Sequence, residues 1–322
     1  MNKSTIFIGI DISKDVFDIY DPIQGHNQFS NDVKGFKSFL KTLGADHWCV
    51  MEATGCYHQQ LALFLYDKSI RVTVMNPLVI KRFIQMKLNR VKTDKSDAKM
   101  ICHYGQEQQM DLWSPSPEYV EDCKQLQTIT QLYLKQSTAI KNKLHTLQTR
   151  SVKRGSKMIR SLKRQLKSLQ KEIKLLEAEM EQLIKANQQD LYTRLNTIPG
   201  IGKKTAILLI VTTNGFKDFQ SSKQISSYLG LAPNERSSGS SIRGKTRISK
   251  TGNSLVRNHL FLCSFTACIH NPQCNALYER IVAKGKSKKL ALIAVCNKLI
   301  KQAYGISKSG LPYDRNYVSK LA

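Results

Sequence analysis

TIFIGIDISKDVFDIY at residues 5–20 is the stretch on which the fold turns. Residues 5–12 and 15–20 are rich in Ile, Phe and Val and read as two strands, and the turn-rich DPIQGHNQ at 21–28 leads toward a third. Asp11 is anomalous in this setting. An acid inside a strand that is apolar on both sides needs a partner or a metal.

Working outward, VKGFKSFLKTL at 33–43 places Val33, Phe36, Phe39, Leu40 and Leu43 at helical spacing, with Asn31 or Asp32 as a cap. HWCVME at 47–52 reads as a strand, QQLALFLYD at 59–67 as a helix and RVTVMN at 71–76 as a strand. Pro77 then opens another helix, a position where its missing N–H costs nothing. The order β-β-β-α-β-α-β-α is that of an α/β ribonuclease-H-like sheet, in which the strand after the first helix lies parallel beside the first strand. Two parallel neighbours end at one edge, where open α/β sheets place their sites. Asp11 and Glu52 both stand at that edge.

The chain has 322 residues, a length that fits two domains, and carries 50 Lys and Arg against 24 Asp and Glu, a net charge of +26. Such a chain repels itself until a polyanion neutralises it, so nucleic acid is the first partner to expect and an anionic membrane surface the rival. The apolar run at the N-terminus is too short for a signal peptide, and no stretch reaches the roughly 20 apolar residues that span a bilayer, so a cytoplasmic, nucleoid-associated protein is expected. Eight cysteines without a CxxC pair read as reduced, mostly buried thiols. Cys263, Cys268 and Cys274, near His259 and His270, lack the paired spacing of a zinc site.

WSPSPE at 113–118 breaks the pattern and divides the chain into a domain at 1–112, a linker at 113–118, a helical region at 119–190 and a C-terminal domain at 191–322. Leu126, Tyr133, Ile140 and Leu147 recur every seventh residue in a first helical arm. In a second arm Ile159, Leu162, Leu166, Leu169, Ile173, Leu176, Met180 and Leu183 alternate steps of three and four, a coiled-coil seam. SVKRGS at 151–156 is the hinge between them, and the coil is free to close within one chain or between two. Residues 141–174 carry a single-sign stripe that includes Arg154, Lys157 and Arg160, with Glu172 the one acid, which points to phosphate contact. In the mainly α C-terminal domain, NTIPGIGKKTAILLIV at 196–211 sets a Pro-Gly-x-Gly turn before an apolar helix. That is a helix-hairpin-helix-like element whose backbone N–H groups, with Lys203 and Lys204, suit phosphate.

Asp94 and Asp97 in KTDKSDAKM lie three apart, which puts both on one face of a helix start. Asp94 alone would serve as an N-cap and Asp97 as a favourable first-turn acid. Together with Asp11 and Glu52 they make four anions. Two carboxylates about 4 Å apart repel by roughly 4 kcal/mol at an effective dielectric of 20, so the group calls for cations. All-oxygen ligation selects Mg²⁺ or Mn²⁺, and two such ions suit phosphodiester chemistry, with Lys14 as a nearby phosphate contact.

GIDISK at 9–14, EATG at 52–55, NP at 76–77, KTDKSDA at 92–98, IPGIG at 198–202, GLAP at 230–233, SGSSIRG at 238–244 and SGLPYD at 309–314 follow in order along nearly the whole chain. In these stretches the chain resembles the DEDD-type transposases of the insertion-sequence 110 family. The resemblance implies a RuvC-like metal domain and a C-terminal transposase domain across a coiled coil, with a site assembled between protomers of a dimer or tetramer. It implies a serine nucleophile, Ser238, that links covalently to donor and target DNA, and a bridge RNA that selects both. Read from residues alone, the serine is open: Ser237, Ser238, Ser240 and Ser241 flank Gly239 in a polar loop, and Ser240 and Ser241 are rivals. Arg243, Lys245, Arg247 and Lys250 would clamp phosphates beside it. A hydrolytic RuvC-like nuclease or junction resolvase, and a non-enzymatic nucleic-acid-binding protein, are the competing readings.

Overall fold

Three strands open the chain: β1 (Ile6–Ile12), β2 (Val16–Asp21) and β3 (Gly25–Ser30). The turn-rich 21–28 leads into the third, which starts at Gly25, because Asp21 accepts hydrogen bonds from the N–H groups of Ile23 and Gln24 at 2.7 and 3.3 Å and commits those residues to the turn. Then come α1 (Val33–Leu40), β4 (His47–Glu52), α2 (His58–Asp67), β5 (Arg71–Met75), α3 (Pro77–Met86) and α4 (Asp94–Glu107). The computed structural model describes residues 5–88, 93–150, 156–234, 237–238, 242–243 and 247–317. The chain divides into two units, Met1–Pro115 and Ser116–Ala322.

The first unit is built on a five-stranded mixed sheet in the order β3-β2-β1-β4-β5. β1 pairs antiparallel with β2 and parallel with β4, as the strand order predicts. Alternation along β1 sends Ile8, Ile10 and Ile12 to one face, packed with Phe36 and Phe39 of α1 and Leu61 and Leu65 of α2. The other face carries Phe7, Gly9 and Asp11 beneath α4. A Cβ at Gly9 would collide with the carbonyl oxygen of Ala98 and the backbone nitrogen of Cys102, so only glycine lets α4 lie this close to the strand. This mixed sheet with helices on both faces is compatible with a ribonuclease-H-like start.

The second unit begins with α5 (Glu118–Thr149) and α6 (Lys157–Asn196), which pack against each other within one chain. Every expected seam residue of α6 is buried or half-buried. In α5 the expected positions are half-buried, and a complementary set, Cys123, Thr130, Ser137 and Leu144, is fully buried at the same seven-residue spacing. Two of these are polar, so hydrophobic periodicity alone passed over them. Residues 151–155, most of the expected hinge, lie outside the described residues. α6 is interrupted at Gln188, whose side-chain amide donates to the Tyr119 hydroxyl at 3.0 Å.

The remaining elements are α7 (Lys203–Thr213), a 3₁₀ turn (Asn214–Phe216), α8 (Ser222–Tyr228), short strands β6 (Pro233–Asn234), β7 (Ser237–Ser238), β8 (Ile242–Arg243) and β9 (Arg247–Ile248), and helices α9 (Ser254–His270), α10 (Pro272–Ala283) and α11 (Lys288–Ser309). α7 is buried from Thr205 to Val211, as a helix apolar all round must be, and forms the centre of this core. Gly200, at φ +106°, makes the turn before it, where a Cβ would come 2.7 Å from that of Ala267. The polar segment after GLAP is not wholly irregular: β6 pairs with β9 and β7 with β8, both antiparallel. Among the described residues, no helix is long and apolar enough to cross a membrane.

Candidate active site

The four acids are delivered by two local rules, a strand end and a helix start. Asp11 is the second-last residue of β1 and Glu52 the last of β4, and the parallel β1–β4 register (Ile10 opposite Met51) brings both to one edge. Asp94 and Asp97 stand in the first turn of α4. The expected N-cap role of Asp94 belongs instead to Thr93, whose hydroxyl accepts from the N–H of Ser96 at 3.1 Å while the Ser96 hydroxyl accepts from the N–H of Thr93 at 3.0 Å. This capping box leaves the Asp94 carboxylate unused by the cap and fixes the pitch at which Asp94 and Asp97 leave the helix. Packing of α4 over β1 carries that turn to the sheet edge.

The consequence is electrostatic. The Asp11 carboxyl is pushed up from 3.8 to about 6, first by burial and then by the charges of Asp97, Asp94, Glu52 and Asp18, in that order. The other three expected acids therefore act on Asp11, together with a further one, Asp18. A set of hard carboxylate oxygens fits a divalent cation such as Mg²⁺ in donor chemistry. Among the described residues, however, no three His, Cys, Asp or Glu side chains close on a common point as ligands.

Asp18 was not singled out in the sequence, although DVFDIY offers the same signal as Asp11: an acid between apolar neighbours in a strand. It is the cross-strand partner of Asp11 and only 5% exposed. His26 Nε2 lies 2.7 Å from its Oδ1, and the Gln28 amide donates to Oδ2 at 3.2 Å.

The expected basic contacts scatter. Lys14 is exposed in the β1–β2 turn, and Lys157 and Arg160 are exposed on the first turn of α6. Lys203 and Lys204 form ion pairs with Glu181 and Glu177 of α6 at 3.2 and 2.5 Å, at the end of α7 nearest the Pro-Gly turn. Arg247 is exposed on β9, and Lys250 is exposed in a left-handed turn at φ 58°. Ser238 lies on β7 opposite Ile242, and Arg243 on β8 opposite Ser237. Arg154, Lys245, Ser240 and Ser241 lie outside the described residues. Of the cysteines, Cys49, Cys102, Cys123, Cys274 and Cys296 are buried and Cys56 is exposed.

A family model described as the transposase IS116/IS110/IS902 family matches residues 192–279, and a DEDD transposase model of the IS110 type matches residues 8–153. The chain is 31% identical over 331 residues to the pilin gene-inverting protein of Moraxella lacunata, covering 97% of this chain and 98% of that protein. It is also 31% identical over 333 residues to the pilin gene-inverting protein of Moraxella bovis, again 97% and 98%. The transposase for insertion sequence element IS1111A of Coxiella burnetii is 25% identical over 324 residues, 92% of this chain and 84% of that one.

Proposed function

The chain belongs to the IS110 family of transposases, and we propose that it recombines DNA with a ribonuclease-H-like, RuvC-like carboxylate site and a serine nucleophile. Asp11, Glu52, Asp94 and Asp97 would hold two divalent ions, Mg²⁺ or Mn²⁺. When bound, such ions lower the barrier to phosphoryl transfer by offsetting charge on the attacking and leaving oxygens. The observation that carries this reading is the parallel β1–β4 register, which brings Asp11 and Glu52 to one sheet edge within a stretch that matches a DEDD transposase model.

Ser238 is the nucleophile in this reading, and Ser240 and Ser241 are its rivals. Its oxygen attacks the scissile phosphorus, its proton passes to solvent, and the deoxyribose oxygen leaves with the bonding electrons. Attack by the hydroxyl of a new DNA end reverses the step, restores the serine and completes the exchange. Arg243, Lys245, Arg247 and Lys250 neutralise the strand around the phosphate, and Lys14, Arg154, Lys157, Arg160, Lys203 and Lys204 track the backbone further out. Lys203 and Lys204 exchange a glutamate for a phosphate when they do so. The work is shared between a catalytic domain at 1–112, the helical region at 119–190 and a serine-bearing domain at 191–322. A bridge RNA chooses donor and target, and the protein acts as a dimer or tetramer at the nucleoid.

Relatives named for pilin gene inversion over nearly their whole length favour a second reading, inversion of a fixed segment instead of transposition. One experiment tests the chemistry common to both. Wild-type protein incubated with Mg²⁺ and a nicked suicide substrate should yield an SDS-resistant protein–DNA adduct that Ser238→Ala does not form. Cleavage without an adduct makes the protein a hydrolytic nuclease. Co-purifying RNA from the native host, sequenced, should be enriched in one structured species; random cellular RNA counts against the guide.

A further inference from the structure

Asp18 is a buried acid that the reaction as written above does not use. We propose that Asp18 is a positioning residue for the cation site: a fixed negative charge behind Asp11 that tightens divalent binding without being a ligand. The inference rests on the metal reading of the Asp11 cluster and adds a fifth charge to it.

Three observations carry it. First, the antiparallel register sets Asp18 directly opposite Asp11, so their side chains leave the same face of the sheet. Second, its oxygens are already engaged by protein donors, Oδ1 with His26 Nε2 at 2.7 Å and Oδ2 with the Gln28 amide at 3.2 Å. Those bonds hold the carboxylate toward β3 and away from ligation. Third, Asp18 is only 5% exposed, so its carboxylate acts through the protein interior and not through water. In a region of low dielectric a unit charge acts strongly on a cation several ångströms away. β2 is thus a second layer of the site, and the β2–β3 hairpin is what pins it.

The test is Mn²⁺ binding to the full chain, read by electron paramagnetic resonance and by calorimetry, for wild type, Asp18→Asn, His26→Gln and Asp11→Ala. Asp18→Asn, isosteric and with far-ultraviolet circular dichroism unchanged, should bind Mn²⁺ about tenfold more weakly. DNA cleavage by this variant should need correspondingly more metal yet reach the wild-type rate at saturation, a split that loss of structure would not produce. His26→Gln keeps a donor toward Asp18 and should bind Mn²⁺ no more weakly than wild type. If Asp18→Asn does not fold, Asp18→Glu, which keeps the charge, should retain affinity within about threefold, and a tenfold loss there overturns the proposal. Wild-type affinity in Asp18→Asn, with binding lost in Asp11→Ala, overturns the role of Asp18 and leaves the metal reading standing. No Mn²⁺ binding by wild type overturns both.

Discussion

Asp11 has a pH signature that separates its structural cost from its chemical use. Its carboxyl is pushed up to about 6 from 3.8, so the folded chain holds that proton more tightly than the unfolded one. The resulting stabilisation is complete below about pH 4 and is lost as pH rises through 6. Asp11→Asn should therefore match wild type at pH 4 and, without divalent ions, exceed it at pH 8 by about 1–2 kcal/mol, a figure reduced for partial solvent screening. Urea denaturation across that range checks it; a difference constant with pH would place the effect in packing. The same variant should bind DNA and not cut it. Gly9 is the opposite kind of residue. Gly9→Ala drives a methyl into the backbone of α4 and should cost roughly 3 kcal/mol, measured by urea midpoint, with cation affinity falling alongside.

At the scale of elements, the first turn of α4 matters more than its length. Thr93→Ala removes one half of the capping box and should cost about 1 kcal/mol. Because the frayed turn carries Asp94 and Asp97, divalent binding should weaken more than global stability does, and comparing calorimetry with thermal melting checks this. The α5–α6 hairpin makes a prediction of the other sign. Ser137 Oγ is buried in the seam and has no hydrogen-bond partner among the described residues. Ser137→Ala should raise stability by about 1 kcal/mol, read as a higher unfolding midpoint, since it removes an unsatisfied hydroxyl from a dry interface. The apolar seam of α6 was plain from its alternating three- and four-residue steps. Its complement on α5 was not, because Thr130 and Ser137 break hydrophobic periodicity, and their burial depends on the facing helix. The cap of α4 was misplaced for a related reason: Thr and Asp are both good caps, and only backbone geometry chooses between neighbours.

For the whole molecule, a charge of +26 makes association with nucleic acid a salt-dependent event. The logarithm of DNA affinity should fall linearly with the logarithm of salt concentration. Arg160→Ala should weaken binding for all sequences alike and lower the slope by about 1, as the loss of one phosphate contact does. Filter binding between 50 and 200 mM salt measures both, and an unchanged slope removes Arg160 from the interface. The two units differ in how far their sequences prescribe them. In the first, strand order and the common edge of Asp11 and Glu52 were legible, because β-alternation and a parallel crossover leave few topologies. In the second, the Pro-Gly turn and the central apolar helix were legible, while the strand pairing around Ser238 was not, since Gly, Ser and Arg in short polar runs have no period to read.

Sequence by itself determined the basic character of the chain, the mixed sheet, the helical arms, four acids and their order, and the family. These follow from composition, from periods of 2, 3.5 and 3.6 residues, and from motifs that survive in one dimension. Tertiary structure alone decided that α5 and α6 pair within one chain, that α4 rests on Gly9, that Thr93 caps it and that Asp18 stands beside Asp11. Each of these joins residues distant in sequence or chooses between adjacent candidates, and the deciding quantities, steric contact and charge at close range, exist only once the elements are packed.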